Sequence, residues 1–400
     1  MRVLIGSDTY YPDVNGASYF TQRLVAGLQQ RGHEVQVVAA ARTARSEVVV
    51  RGGTTEHRVR SLPVPGHPGF RATPPGVRRR VRAAVLAARP DVVHAQGHFA
   101  IGRALIRAAR ELGIPVVATN HFMPDNLVYY LGLPTPLERA VEAWAWKDFA
   151  RVFNGADVVT APTPFAAALA EAEGVRGPVT AVSCGMDLSR FSPDVDPAPF
   201  RARHHLDARP TITYVGRLDA EKHVDELIRA LPLVRATVDA QLVVVGTGHE
   251  HEALVALAAA QGVAEHVRFT GFVADADLPG AYAAASVAVN PGTAELQSIV
   301  TLEAMASGRP VVGADARALP LLVHEGSNGH LFTPGDVVGL AAALTHVLTD
   351  DDARASMGRQ SLRLVAAHDV AATLDTFEGL YAALLPTAPV RPPALLAGAR

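Results

Sequence analysis

The sequence predicts an α/β protein built from two doubly wound, parallel-sheet domains. Three observations carry this expectation. Short apolar runs alternate with longer stretches of helical periodicity from the first residue onward, the pattern of repeated βαβ units whose strands are covered on both faces. The alternation pauses at the polar, proline-bearing segment Asp187 to Pro199 and then restarts. The 400 residues exceed one ordinary hydrophobic core, so two domains of about 200 residues each are expected.

Arg2 to Ser7 reads as the first strand. A loop around Asn15 and Gly16 follows, and Phe20, Leu24, Val25 and Leu28 then share one helical face before Gly32 closes the helix. Val35 to Ala40 is the next strand. Val92 to Ala95, Pro115 to Thr119, Asp157 to Ala161 and Val179 to Ser183 repeat the pattern, which gives a Rossmann-like domain. After the pause, Thr211 to Val215 leads into a helix with Val224, Leu227, Ile228 and Leu231 at i, i+3, i+4 and i+7, then into the strand Gln241 to Val245. Further strands are expected at Val267 to Thr270, Val287 to Asn290, Pro310 to Gly313 and His330 to Phe332, with a long helix over Ala371 to Leu385. The Pro- and Ala-rich stretch after Pro386 reads as a frayed tail. Ligands of such sheets bind at the carboxyl ends of the strands, so a cleft between the two domains is the expected site.

Composition narrows the function classes. With 49% hydrophobic and 19% charged residues the chain can fill two cores, and a formal charge of −2 offers nucleic acid no basic surface. Small-molecule partners are expected instead. Cys184 is the only cysteine, which rules out an internal disulfide and a cysteine-built zinc site and fits a reducing, cytoplasmic setting. The apolar run at the amino terminus is too short for a secretory signal or a membrane span, and peripheral contact at an inner membrane face stays open.

Two segments carry chemistry. Gly216-Arg217-Leu218-Asp219-Ala220-Glu221-Lys222 puts two cations after a strand and at the expected start of a helix, where free backbone N–H groups and the positive dipole end already favour an anion. Cations there oppose the dipole unless an anion compensates, so a diphosphate clamp is the expected role. The second segment runs from Pro291 to Ala306 and holds Glu295 and Glu303 eight residues apart, the first before a helix and the second within it. Glutamates so spaced are most often a solvated helix face, but this helix is otherwise apolar. One carboxylate could then meet the sugar end of a ligand and the other a ribose, with the helix N-terminus on the phosphates between them.

These segments resemble the G-R-L-x-x-E-K and E-x7-E signatures of retaining glycosyltransferase family 4, which has the GT-B fold. Val182 to Asp187 followed by Arg190-Phe191-Ser192-Pro193 is similar to that family's interdomain stretch, and Ser307 to Val312 and Gly326 to Gly329 also match. The resemblance covers nearly the whole chain and is strongest over residues 182–332. It implies an amino-terminal, acceptor-side domain over residues 1–190, a donor-side domain over 191–370, and a closing helix and tail over 371–400.

By this resemblance Arg217 and Lys222 neutralise the leaving diphosphate, Glu303 takes the ribose hydroxyls, and Glu295 takes hydroxyls of the transferred sugar. Gly216 and the backbone of Leu296, Gln297, Ser298, Ile299 and Val300 line the donor. Phe272 and Val273 resemble the nucleobase loop. Gly16 matches a glycine that approaches the donor phosphates, although Ala17 replaces the common second glycine. His121, in Thr119-Asn120-His121-Phe122-Met123, matches a histidine beside the reacting sugar carbon and is read as a contact to the sugar O6, against the ordinary alternative of a packed strand-end histidine. The implied activity is hexose transfer with retention from a UDP-sugar, with GDP next, to a lipid, natural-product or saccharide hydroxyl. Diacylglycerol-type glucosyltransferases are the nearest implied kind. No cofactor or metal is expected, because the two cations already counter the phosphate charge.

Other features are read as structural. His94 and His98 stand four apart but on no expected helix, and Asp194-Val195-Asp196 and Asp275-Ala276-Asp277 do not end an apolar strand. Arg78, Arg79, Arg80, Arg82 and Arg89 crowd one expected helix, a solvated basic face by default and a contact for anionic lipid as the alternative. Two other functions share the scaffold: a nucleotide-sugar epimerase or hydrolase, and a silent nucleotide-sugar binding or membrane-docking subunit.

Overall fold

A computed structural model describes residues 1–13, 15–64, 67–123 and 135–385. The chain divides into two compact units, one of Met1–Thr119, Arg151–Val159 and Leu374–Arg400, the other of Asn120–Ala150 and Thr160–Thr373. The tail expected to fray after Pro386 lies outside the described residues.

The strands, in order, are β1 (Arg2–Ser7), β2 (Glu34–Ala40), β3 (Glu47–Arg51), β4 (Thr54–Val59), β5 (Leu62–Val64), β6 (His67–Ala72), β7 (Val92–Ala95), β8 (Val116–Thr119), β9 (Val158–Ala161), β10 (Thr180–Ala181), β11 (Thr211–Val215), β12 (Gln241–Val245), β13 (Val267–Gly271), β14 (Val287–Asn290), β15 (Val311–Ala314) and β16 (Gly329–Phe332). One sheet runs β10-β9-β8-β7-β1-β2-β4-β3, and a second runs β13-β12-β11-β14-β15-β16. Every pairing in the second sheet is parallel, as continuous apolar strands buried on both faces require.

The sequence reading placed no strand between Ala40 and Val92, and the structure adds four there. β3 and β4 form an antiparallel hairpin closed by Gly52 and Gly53, both at positive φ (54° and 81°), the two-residue turn whose twist suits paired strands. β4 mixes Thr, Glu, His and Arg, so its hydropathy carries no period-two signal. β5 and β6 pair separately as a short antiparallel ribbon.

Helical periodicity translates directly into packing. Val224, Leu227, Ile228, Leu231 and Val234 on the helix Val224–Arg235 are all buried, against Ile212, Val244 and Val289 of the second sheet. In the first unit, Phe377 and Tyr381 of the carboxyl-terminal helix are fully buried beside Phe20 and His94. Tyr381 Oη lies 2.6 Å from His94 Nδ1, while His94 Nε2 lies 2.6 Å from Thr119 Oγ1. His94 is therefore held by two hydroxyls within the core.

Candidate active site

The site begins where β11, β12 and β13 end. Their loops are tied by backbone hydrogen bonds from Gly216 N to Val245 O (3.0 Å), from Leu218 N to Thr247 O (3.0 Å) and from Gly246 N to Gly271 O (2.9 Å). Gly246 has φ 137°, and a Cβ there would meet Gly216 O at 1.8 Å, so only glycine lets these loops approach. This floor fixes the Arg217–Lys222 loop. Tyr214, buried on β11, donates its hydroxyl to Arg217 O at 2.7 Å.

The two cations are placed differently from the sequence expectation. Lys222 ends a short 3-10 turn, His223 follows at φ 49°, and the helix proper opens at Val224 with Asp225 and Glu226 in its first turn. Both cations thus precede the helix, and acids occupy the turn where the dipole favours them. Arg217 is largely exposed and reaches Asp219 Oδ2 and Glu221 Oε1, the latter at 2.9 Å. Lys222 is mostly buried, with Nζ 2.7 Å from Glu295 Oε1.

Glu295 sits in the loop after β14, and Gly292 lies beneath the ion pair: a Cβ there would stand 3.5 Å from both Glu295 Oε1 and Lys222 Cδ. The loop is held from both sides. Thr293 N donates to Glu221 O at 3.3 Å, and Ala318 N donates to Glu295 O at 3.3 Å. The helix Ile299–Ala306 is capped by Ser298, whose Oγ accepts from Thr301 N and from Asn290 Nδ2 (2.8 Å). The amides of Ile299 and Val300 open this helix and have no acceptor within it. Glu303, inside the helix, accepts the Tyr282 hydroxyl at 2.8 Å. Burial, followed by the nearby Glu303 charge, raises the Tyr282 hydroxyl well above its usual range and keeps it a donor.

His121 follows β8, with Nδ1 4.0 Å from Cys184 Sγ. Burial depresses its imidazole to about 3, so it is neutral at working pH. Cys184 N donates to Gln297 Oε1 at 2.8 Å, and Gln297 Nε2 donates to Ser183 Oγ at 3.0 Å. Leu296 O accepts Thr163 Oγ1 at 2.8 Å. Contacts therefore run from His121 through Cys184 and Gln297 to the loop that carries Glu295, and through Glu295 to Lys222 on the loop after β11.

Val273 packs against the small core cluster that contains Phe200, Val243 and Val245, whereas Phe272 is 63% exposed. Gly16 opens the helix Gly16–Gln30 of the first unit behind Asn15, whose side chain accepts from Ser18 N, and nothing lies within 4 Å of a Cβ placed there. The basic helix spans Val77–Ala88. Arg78 and Arg82 share Glu111 at 2.5 and 4.0 Å, Arg79 and Arg80 are exposed, and Arg89 caps the helix end at φ 45° instead of lying within it. Sequence reasoning missed Tyr282 and the Gln297 side-chain contacts, whose partners are remote in sequence, and also Tyr214 and Asp219, which hold Arg217 from three and two residues away.

These features define a nucleotide-sugar glycosyltransferase of GT-B architecture. Residues 14–190 match the profile of Glycosyltransferase Family 4 and residues 209–350 that of Glycosyl transferases group 1. The chain belongs to glycosyltransferase family 4, and it is an enzyme that transfers a sugar from a nucleotide sugar. It is 33% identical to a GDP-mannose-dependent alpha-mannosyltransferase of Mycolicibacterium smegmatis over 96% of this chain and 98% of that protein. It is 34% identical to a GDP-mannose-dependent alpha-(1-6)-phosphatidylinositol dimannoside mannosyltransferase of Mycobacterium tuberculosis over 81% and 82% of the two chains. Among solved structures, HepE of Anabaena in complex with UDP and glucose shares the fold at TM-score 0.77 and 19% identity, covering 96% of this chain and all (100%) of that one. Both mannosyltransferase names carry GDP-mannose, where the sequence pointed first to UDP and to diacylglycerol-type glucosyltransferases. Among the described residues no helix is long and apolar enough to cross a membrane.

Proposed function

We propose that this enzyme moves mannose from GDP-mannose, with retention and without a metal, to a hydroxyl of a phosphatidylinositol-type glycolipid. The observation that carries the donor is the full-length similarity to a GDP-mannose-dependent mannosyltransferase. The site chemistry supports the transfer. Lys222 and Arg217 receive the departing diphosphate, Glu295 orients sugar hydroxyls, and Glu303 takes the ribose. Phe272 and Val273 flank the base, the backbone of Leu296 to Val300 lines the diphosphate and sugar, and neutral His121 contacts the sugar O6.

The bond from the anomeric carbon to the diphosphate oxygen breaks with its electron pair going to that oxygen. The acceptor hydroxyl attacks from the same face and its proton passes to the phosphate, so donor and product anomers match. Stabilisation of the developing phosphate charge is the main source of rate.

A thermal-shift comparison of GDP-mannose, GDP, UDP-glucose and UDP tests the donor, since a bound donor stabilises the fold in proportion to its affinity. The guanosine ligands are expected to raise Tm more, and a larger shift with UDP-glucose would reverse the assignment. Turnover with EDTA, the product anomer by NMR, and donor consumption without acceptor test the remaining parts. The lipid acceptor also gives a role to Arg79 and Arg80, which are exposed on the basic helix. Flotation with anionic and neutral liposomes checks it: equal binding to both would remove that role.

A further inference from the structure

We propose that the β3 edge of the eight-stranded sheet docks a second copy of this chain, strand against antiparallel strand about a two-fold axis through Val49. Among the described residues β3 ends its sheet and pairs only with β4. An edge strand presents unpaired backbone groups, and natural edges are commonly interrupted by a charge, a bulge or a proline. Here Val48 and Val50 are 63% and 73% exposed, on one face of a regular strand with no such interruption between them.

The hairpin fixes which backbone groups are free. Its two-residue Gly52-Gly53 turn makes Arg51 and Thr54 a hydrogen-bonded pair, and antiparallel pairs alternate along the ladder. Glu47, Val49 and Arg51 therefore spend their N–H and C=O groups on β4. Val48 and Val50 direct theirs outward. A two-fold through Val49 sets Val48 of one chain opposite Val50 of the other, and this is the arrangement in which the outward groups meet as two hydrogen-bonded pairs.

Charge agrees with this register. The strand reads Glu47-Val48-Val49-Val50-Arg51, so the same two-fold faces each Glu47 with the other chain's Arg51. Shifting the register by one residue loses both opposite-charge pairs and turns the hydrogen-bonding groups out of phase. Val48 and Val50 meet their counterparts on one sheet face, the β-branched cross-strand pairing that stabilises sheets. Arg51 already lies 3.6 Å from Glu56 and 4.6 Å from the Tyr11 ring centroid, which steadies it along the strand. The contact is isologous and closes as a dimer, not a filament. Two five-residue strands bury less than the ~800 Å² per partner of a permanent interface, so the association depends on concentration.

Sedimentation velocity of the full chain across micromolar concentrations tests the proposal, with thiol cross-linking as a geometric check. The wild type is expected to pass from monomer to dimer, and Val50→Pro, which removes an outward N–H and no ladder bond, to stay monomeric. The double variant Val48→Lys/Val50→Lys gives the same reading if the proline variant folds poorly. Facing Val49 residues form a non-hydrogen-bonded pair at ~4.5 Å between Cα atoms, within disulfide range. Val49→Cys is expected to yield a covalent dimer on mild oxidation at least ten times faster than Val48→Cys. A wild type that stays monomeric, a dimer that survives both edge variants, or equal cross-linking at the two positions would overturn the proposal.

Discussion

Lys222 Nζ and Glu295 Oε1 lie 2.7 Å apart, joining the loop after β11 to the loop after β14 through side chains that are each about one-sixth exposed. The pair holds the ammonium in place, so in the proposed function it is set before the donor arrives. Such preorganised charge is worth more in a water-poor site than in solution.

Lys222→Ala is expected to cut kcat by about 10²–10³-fold, and Arg217→Ala by a comparable factor, with the far-UV circular dichroism unchanged. Glu295→Gln is expected to lower kcat as well. Because Lys222 and Glu295 touch, the losses should be non-additive in the double variant. Steady-state kinetics of the three single variants and the double variant decides this, and near-normal rates in Lys222→Ala and Arg217→Ala would contradict the assigned roles.

Tyr282→Phe removes the hydroxyl that Glu303 accepts at 2.8 Å. The cost should be about 1.5–3 kcal/mol, the range for a hydrogen bond to a charged group. Urea denaturation measures it. If Glu303 also takes the donor ribose, KM for the donor rises in the same variant while kcat moves less.

His121 has a folded-state pKa of about 3 against an ordinary 6.5. A depressed histidine contributes stability that is fully present above about 6.5 and is lost as pH falls toward about 3, because the unfolded chain takes up the proton first. The stability of the wild type relative to His121→Gln should therefore decline on acidification across that window. A proton-NMR titration showing the imidazole protonating near neutrality would contradict it.

Asp8 runs the other way. Burial raises its carboxyl to about 6, against the amides of Ile101 and Gly102 that it accepts at 2.9 and 3.3 Å. A raised carboxyl favours the folded state below its ordinary 3.8 and loses that contribution as pH climbs through about 6. The stability of the wild type relative to Asp8→Asn should fall between those pH values and then level off.

Gly246→Ala places a methyl 1.8 Å from Gly216 O, at a φ of 137° that alanine resists. A backbone atom cannot rotate aside. The substitution should therefore fall at the severe end of the single-mutation range, above about 4 kcal/mol, and should abolish donor-induced thermal stabilisation.

Much of the fold was legible because parallel strands buried on both faces are written as short continuous apolar runs. β1, β7, β11, β12 and β14 have the bounds the sequence suggested. The hairpin β3–β4 escaped because the buried face of Thr54 to Val59 is filled by Thr54 and by the ion pair of Glu56 with Arg58 (2.6 Å), where apolar residues would have written an alternating signal. In the site, the Lys222 and Glu295 segments stood out as motifs. That the cations precede the helix did not, since one left-handed residue, His223, decides where the helix starts.

The sequence by itself determined the alternation of strands and helices, the two-domain count and the positions of the chemistry-bearing segments, because periodicity and motif spacing are properties of neighbours along the chain. Only the tertiary structure decided that Lys222 pairs with Glu295, that Tyr282 holds Glu303, that desolvation keeps His121 neutral, and that Val48 and Val50 stand on a free edge. Each depends on which atoms exclude water from which others, a relation between residues that the chain order leaves far apart.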